Sequence, residues 1–231
     1  MTDAQEVARQ RFAIDRKINL PAMIALAISV TTLGWQIGNH LAGPEVELFA
    51  PDQVVIASSE VAGFPNREGG PYAHIFGRMS YVNAGAADYN ATVRRESAMV
   101  SIPGRAPFEQ RWYRFVSADA TGTEGNTLAV EKLADAGPFP LAAGSSTTHL
   151  TLFQPWPHRC ASKDATCDPR QNYVTWDKFL ELTKDQREFD IQFVAETYDA
   201  EPRVVAKCKV KLSERSYAGL MSRSWASPAC Q

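Results

Sequence analysis

Four cysteines and four histidines hold most of the side-chain chemistry in this sequence of 231 residues. Cys160, Cys167, Cys208 and Cys230 all lie beyond the midpoint of the chain. An even number of cysteines in an oxidising compartment reads as a disulfide framework, and four cysteines allow three connectivities. The two local pairings are favoured. Cys160–Cys167 would staple the loop ASKDAT, and Cys208–Cys230 would pin the closing stretch SPACQ onto a core strand. The rival is a metal held by His158, Cys160 and Cys167. Their spacing, H-x-C-x6-C, matches no common zinc pattern and brings no fourth ligand, so no metal is expected.

Other catalytic signatures are missing. The sequence has no Gly-rich phosphate loop, no Gly-x-Ser-x-Gly elbow and no paired-histidine zinc motif, so neither a cofactor nor a catalytic residue is assigned. His149 lies in an alternating apolar stretch with no second ligand beside it. It is expected to be solvent-facing or hydrogen-bonded within the fold. Carboxylates are scattered along the chain, and only folding could bring two of them together.

These groups are positioned by an anchor and a β-rich outer part. Residues 20–41, LPAMIALAISVTTLGWQIGNHL, contain no Asp, Glu, Lys or Arg, and His40 is their one titratable side chain. A helix rises ~1.5 Å per residue, so ~20 residues cross a ~30 Å hydrocarbon core. Asn19 can cap such a helix, Pro21 fits its first turn, and Trp35 suits the far interface. A cleaved signal peptide would have a shorter apolar core and a small-x-small junction, which the sequence after His40 does not offer.

The expected division is a cytoplasmic segment over residues 1–18, a transmembrane signal-anchor helix over 19–42 and a periplasmic domain over 43–231. Orientation follows from Arg9, Arg11, Arg16 and Lys17 before the span, against Glu45, Glu47 and Asp52 after it. The chain is therefore expected to be single-pass in a bacterial inner membrane, with lipid as a partner. Ala27, Thr31, Gly34 and Gly38 form a small-residue stripe along the helix. Such stripes let helices pack closely, so self-association or pairing with another membrane helix is a further expectation.

The net charge of −2, from 24 basic and 26 acidic residues, offers no basic cluster for phosphates, so nucleic acid is not an expected partner. Lys207, Lys209 and Lys211 alternate along one stretch and read as the wet face of a strand. The outer part reads as successive strands. Val54, Val55 and Ile56 form one. Ile75, Met79 and Tyr81 share a face of the next, which ends in the turn Asn83-Ala-Gly85. Ala98, Val100 and Ile102 share a face of another, and the stretch with Phe108, Trp112, Tyr113, Phe115 and Val116 follows. LAVEKLADAG is ambiguous between helix and strand. In residues 148–153, Thr148, Leu150 and Leu152 alternate with His149, Thr151 and Phe153. VTWDKFLELTKDQ is the single good soluble helix, with Thr175 as its cap. Phe189, Ile191, Phe193 and Ala195, then Val204, Ala206, Cys208, Val210 and Leu212, give the buried sides of a final hairpin turned by DAEP.

The strand, Asn-x-Gly turn, strand passage resembles immunoglobulin-like and fibronectin-type-III-like bacterial domains. So does the passage from Pro140 and Gly144 into an alternating strand. This resemblance implies a mainly β fold, an antiparallel immunoglobulin-like β-sandwich with one short helix. Periplasmic copper-delivery proteins share the anchor-plus-sandwich layout. They need closely paired cysteines, and here the nearest two are seven positions apart. The expected function is a membrane-anchored periplasmic binding or scaffolding protein of an envelope complex. The alternative is an envelope hydrolase acting on wall or glycan, with carboxylates meeting at the end loops of the sandwich.

Overall fold

The computed structural model describes residues 20–38, 43–63, 70–85, 89–121, 127–157, 168, 170–198 and 203–231. The chain divides into two compact units, residues 1–43 and 44–231. In the first, α1 (Leu20–Gly38) is a continuous helix, long and apolar enough to cross a membrane, and none of its apolar window is buried. Ser29, Thr31 and Thr32 donate their hydroxyl hydrogens to the carbonyls of Ala25, Ala27 and Ile28, each at 2.8 Å. The helix therefore satisfies its own hydroxyl groups, which lowers their cost in hydrocarbon.

The second unit is mostly antiparallel β. Its strands are β1 (Val46–Phe49), β2 (Val54–Ser58), β3 (Ala73–Asn83), β4 (Ala91–Ser101), β5 (Phe108–Thr121) and β6 (Thr127–Asp135). They continue with β7 (Phe139–Leu141), β8 (Ser146–Pro155), β9 (Glu188–Thr197), β10 (Arg203–Lys211) and the short β11 (Trp225–Ala226). The immunoglobulin-like sandwich is not what forms. The strands pair as one sheet in the order β10-β9-β4-β5-β8-β3-β2-β11, curled into a half-barrel, with β1, β6 and β7 attached to β3, β5 and β4. Curling lets one sheet bury its own concave face, so no second sheet is needed to cover it.

The concave face holds the main core, including Ile75, Met79, Tyr81, Ala98, Val100, Phe153, Ile191, Phe193, Cys208 and Val210. These are the faces anticipated for β3, β4, β9 and β10. Gly77 on β3 faces Phe193 of β9 across this core. A Cβ there would lie 2.9 Å from the Phe193 ring, so glycine is what lets β3 approach β9. A smaller core on the opposite face gathers Phe76, Val116, Leu128, Leu152 and Trp225. Leu152 and Phe153 thus bury on opposite sides of the same strand. The ambiguous LAVEKLADAG is strand, as part of β6.

The expected helix is α2 (Trp176–Asp185), capped by Thr175, whose hydroxyl accepts from the Lys178 amide, and it buries Trp176, Phe179 and Thr183. The domain has a second helix, which the hydrophobic pattern of the sequence does not announce. This is α3 (Glu214–Arg223), with Ser213 as its N-cap and Leu220 buried. Its apolar side is short, and serine caps carry no hydrophobic period, which is why the pattern passed unnoticed.

The segment after β11 joins both ends of the sheet. Ala229 bridges Gln53 just before β2, and Cys230 bridges Val210 on β10. Lys209 and Gln231 exchange two backbone hydrogen bonds at 2.9 and 3.0 Å. The Cys208–Cys230 disulfide, with Cα atoms 5.1 Å apart, fastens this closure as anticipated. Cys160, Cys167 and His158 lie outside the described residues, as does the DAEP turn.

Candidate functional site

The most unusual side chain inside the domain is Glu96. It sits on β4 in step with Ala98 and Val100, facing the concave core, and is fully buried. A buried carboxylate is tolerated only with close partners. Two come from β8, which is not a direct neighbour of β4. His149 Nε2 and Glu96 Oε1 share a hydrogen bond at 2.7 Å, and Thr151 Oγ1 donates to Oε2 at 2.7 Å. A carboxylate oxygen can only accept, so a carboxylate there calls for the imidazole proton on Nε2.

A fork in the sheet brings these strands together. β4 pairs with β5 only from Val100↔Phe108 to Ser97↔Arg111, then leaves it and takes β7 as partner from Val93↔Phe139. β5 meanwhile shifts register against β8 between Trp112 and Arg114. Such irregularities re-aim side chains. Here the opening is filled by Glu96, His149 and rings. Phe115, Phe139 and Tyr81 place their centroids 4.3, 4.9 and 5.7 Å from the imidazole. Trp112 packs behind Phe115 at 6.0 Å.

The buried Tyr81 hydroxyl faces the same carboxylate without reaching good hydrogen-bond geometry. Burial first, and the negative charge of Glu96 second, push its pKa well above the usual phenolic range, so it stays protonated. The imidazole side chain keeps 16% of its surface in solvent, while Glu96 keeps none. The arrangement is thus a carboxylate-held imidazole in an aromatic box with one edge at the surface. His149 is hydrogen-bonded within the fold, one of the two environments its sequence position suggested. Glu96 was missed. A charged residue in step with two buried apolar ones was the available signal.

A second polar cluster lies where β4, β9 and β10 meet. Glu196, which follows Ala195 on β9, is buried. Its carboxylate takes Arg94 at 2.6 Å, Arg95 in a closer contact, and Arg203 at 3.9 Å. Burial raises the Glu196 pKa, but the hydrogen bonds from Arg94 and Arg95 outweigh it and hold the carboxyl below its ordinary value. Lys209 and Lys211 both reach Glu188, at 3.4 and 3.0 Å, on the exposed face expected for them. Arg111 and Arg114 lie over the rings of Trp156 and Tyr113 at 5.2 and 4.5 Å.

Of the residues singled out from the sequence, Cys208 and Cys230 meet. Ala27, Thr31, Gly34 and Gly38 all lie on α1. A Cβ added at Gly34 or Gly38 would meet nothing within 4 Å, so the stripe is open. The anticipated meeting of carboxylates at end loops does not describe Glu96, which lies mid-strand. No protein-family model matches the chain, and no curated protein matches its sequence, so the functional reading rests on geometry and chemistry alone.

Proposed function

We propose that this chain is a single-pass inner-membrane protein. Its β domain stands in the periplasm as a non-enzymatic binding or scaffolding module of an envelope complex. The observation that carries the reading is α1, an apolar helix with no buried window and with its hydroxyls satisfied internally. Four basic residues precede it and acidic ones follow it, which favours a cytoplasmic start. The Cys208–Cys230 bridge suits an oxidising compartment. Asp135 and Glu188 have lowered pKa values because of hydrogen bonds from Lys132 and Lys211, and Glu196 is lowered against its own burial.

A reporter fused after Gln231, active only outside the cytosol, tests the topology. A cytosolic signal, or release of the intact chain by carbonate washing, overturns it. Crosslinking followed by detergent extraction tests the scaffolding role, which recovery of a lone monomer would remove. The stripe of Ala27, Thr31, Gly34 and Gly38 is the proposed contact within the membrane. Gly34→Ile should lower self-association of the span in a reporter assay.

A further inference from the structure

β1 and β2 pair with the same edge of β3, one after the other. The ladder runs from Val54↔Gly77 on one side to Phe49↔Ser80 on the other. Four residues, Ala50, Pro51, Asp52 and Gln53, therefore stand opposite only two on β3, Arg78 and Met79. Pro51 cannot donate to a ladder, so the extra chain leaves β3, with Pro51 buried and Asp52 and Gln53 turned outward, where Gln53 bridges Ala229 of the closing segment. The result is an open cleft of about 660 Å³ on the convex face, lined by Phe49, Asp52, Gln53, Arg78 and Ser80 among others.

Two features separate this cleft from an ordinary surface dent. Arg78 and Asp52 are both exposed, and among the described residues neither side chain makes a hydrogen bond or ion pair. They line one cavity with opposite charges yet do not meet within 4.0 Å. The sheet fixes Arg78, and the Cys230 amide, donating to the Asp52 carbonyl at 2.8 Å, fixes the backbone of the outward loop. Beside them Phe49 is 49% exposed, a large apolar ring turned to solvent.

We propose that this cleft binds a small zwitterion, an amino acid or short peptide. The guanidinium of Arg78 meets the ligand's carboxylate, beside a Ser80 hydroxyl that is already hydrogen-bonded to the Thr148 hydroxyl at 3.0 Å. Asp52 meets the ammonium, and Phe49 covers an apolar side chain. Arginine suits a carboxylate through its planar fork of donors. The volume lies within the range of small-molecule sites, roughly 300–1,000 Å³. The assignment deepens the binding-module reading by naming a ligand class for it.

The test is calorimetric titration of the full chain in detergent with the dipeptide Ala-Phe, with N-acetyl-Ala-Phe and with Ala-Phe amide. The free dipeptide should bind, and each capped form should bind at least about tenfold more weakly, the factor expected for losing one hydrogen-bonded charge. Arg78→Gln should abolish the preference for the free carboxylate, and Asp52→Asn the preference for the free ammonium. Both residues are exposed, so melting temperatures should stay unchanged and report intact folding. Equal binding of all three ligands, no binding at millimolar concentration, or wild-type affinity in Arg78→Gln would each overturn the proposal. The titration does not depend on which side of the membrane the domain occupies, so its failure leaves the topology result standing, and the reverse.

Discussion

Replacing Cys230 by serine should loosen the whole β domain. The bridge to Cys208 closes a loop with a sequence separation of 22. In the chain-entropy treatment, a loop of that size restricts the unfolded state by about 11 cal/mol/K, or about 3.4 kcal/mol at 25 °C. For a domain of this length each kcal/mol moves the melting midpoint by about 2–4 °C, so the expected fall is about 7–14 °C. Cys230 is half-buried, so the serine hydroxyl adds little of its own, whereas Cys208 is buried in the core. Thermal melting of Cys230→Ser in detergent, followed by near-ultraviolet circular dichroism, reads the effect of this one bridge without adding a reductant. The double variant Cys208→Ala/Cys230→Ser guards against a stray thiol. A midpoint within about 2 °C of wild type in both would refute the reasoning, because the loop entropy is independent of side-chain detail.

Glu96→Ala leaves His149 and Thr151 without their acceptor and should cost roughly 3–5 kcal/mol in a denaturant melt, with Glu96→Gln costing less because it can still accept. Gly77→Ala forces a methyl against the Phe193 ring and should destabilise by roughly 1–3 kcal/mol, read from the urea midpoint. The Glu196 carboxyl titrates below its ordinary value in the folded state. Its contribution is therefore present above the unfolded pKa and is lost as pH falls through the lower folded value. Stability measured from neutral pH downward should drop over that acid window, and Glu196→Gln should flatten the drop; an unchanged acid limb would remove the assignment.

What could be read in advance depended on range. β9 and β10 alternate so strictly that their buried sides are visible residue by residue, and Thr175 announces α2 by capping chemistry. The Cys208–Cys230 bridge was legible because both its reasons are local: an apolar strand face and a nearby returning segment. The single curled sheet was not. Strand alternation says which face is dry but not whether that face meets a second sheet or its own far side. The close approach of Gly77 to Phe193 decides this, and no local pattern encodes it. The same holds for the polar centre. Glu96 and His149 are 53 positions apart on strands that do not pair directly, and their meeting depends on the fork at Trp112 and Arg114. The cleft depends on counting four residues against two across a ladder, which needs the register first.

The way residues 229–231 tie Gln53 to Val210 has a consequence for biogenesis. Strands β1 to β10 can leave the ribosome and pair with their neighbours, yet the ring stays ajar until these three residues emerge. Contacts that distant in sequence form slowly, because chain entropy must be surrendered before they are rewarded. The newborn domain therefore passes through an unlatched stage with the β10 edge unprotected. That is the interval in which other chains can reach the open edge and Cys208 has not yet met Cys230.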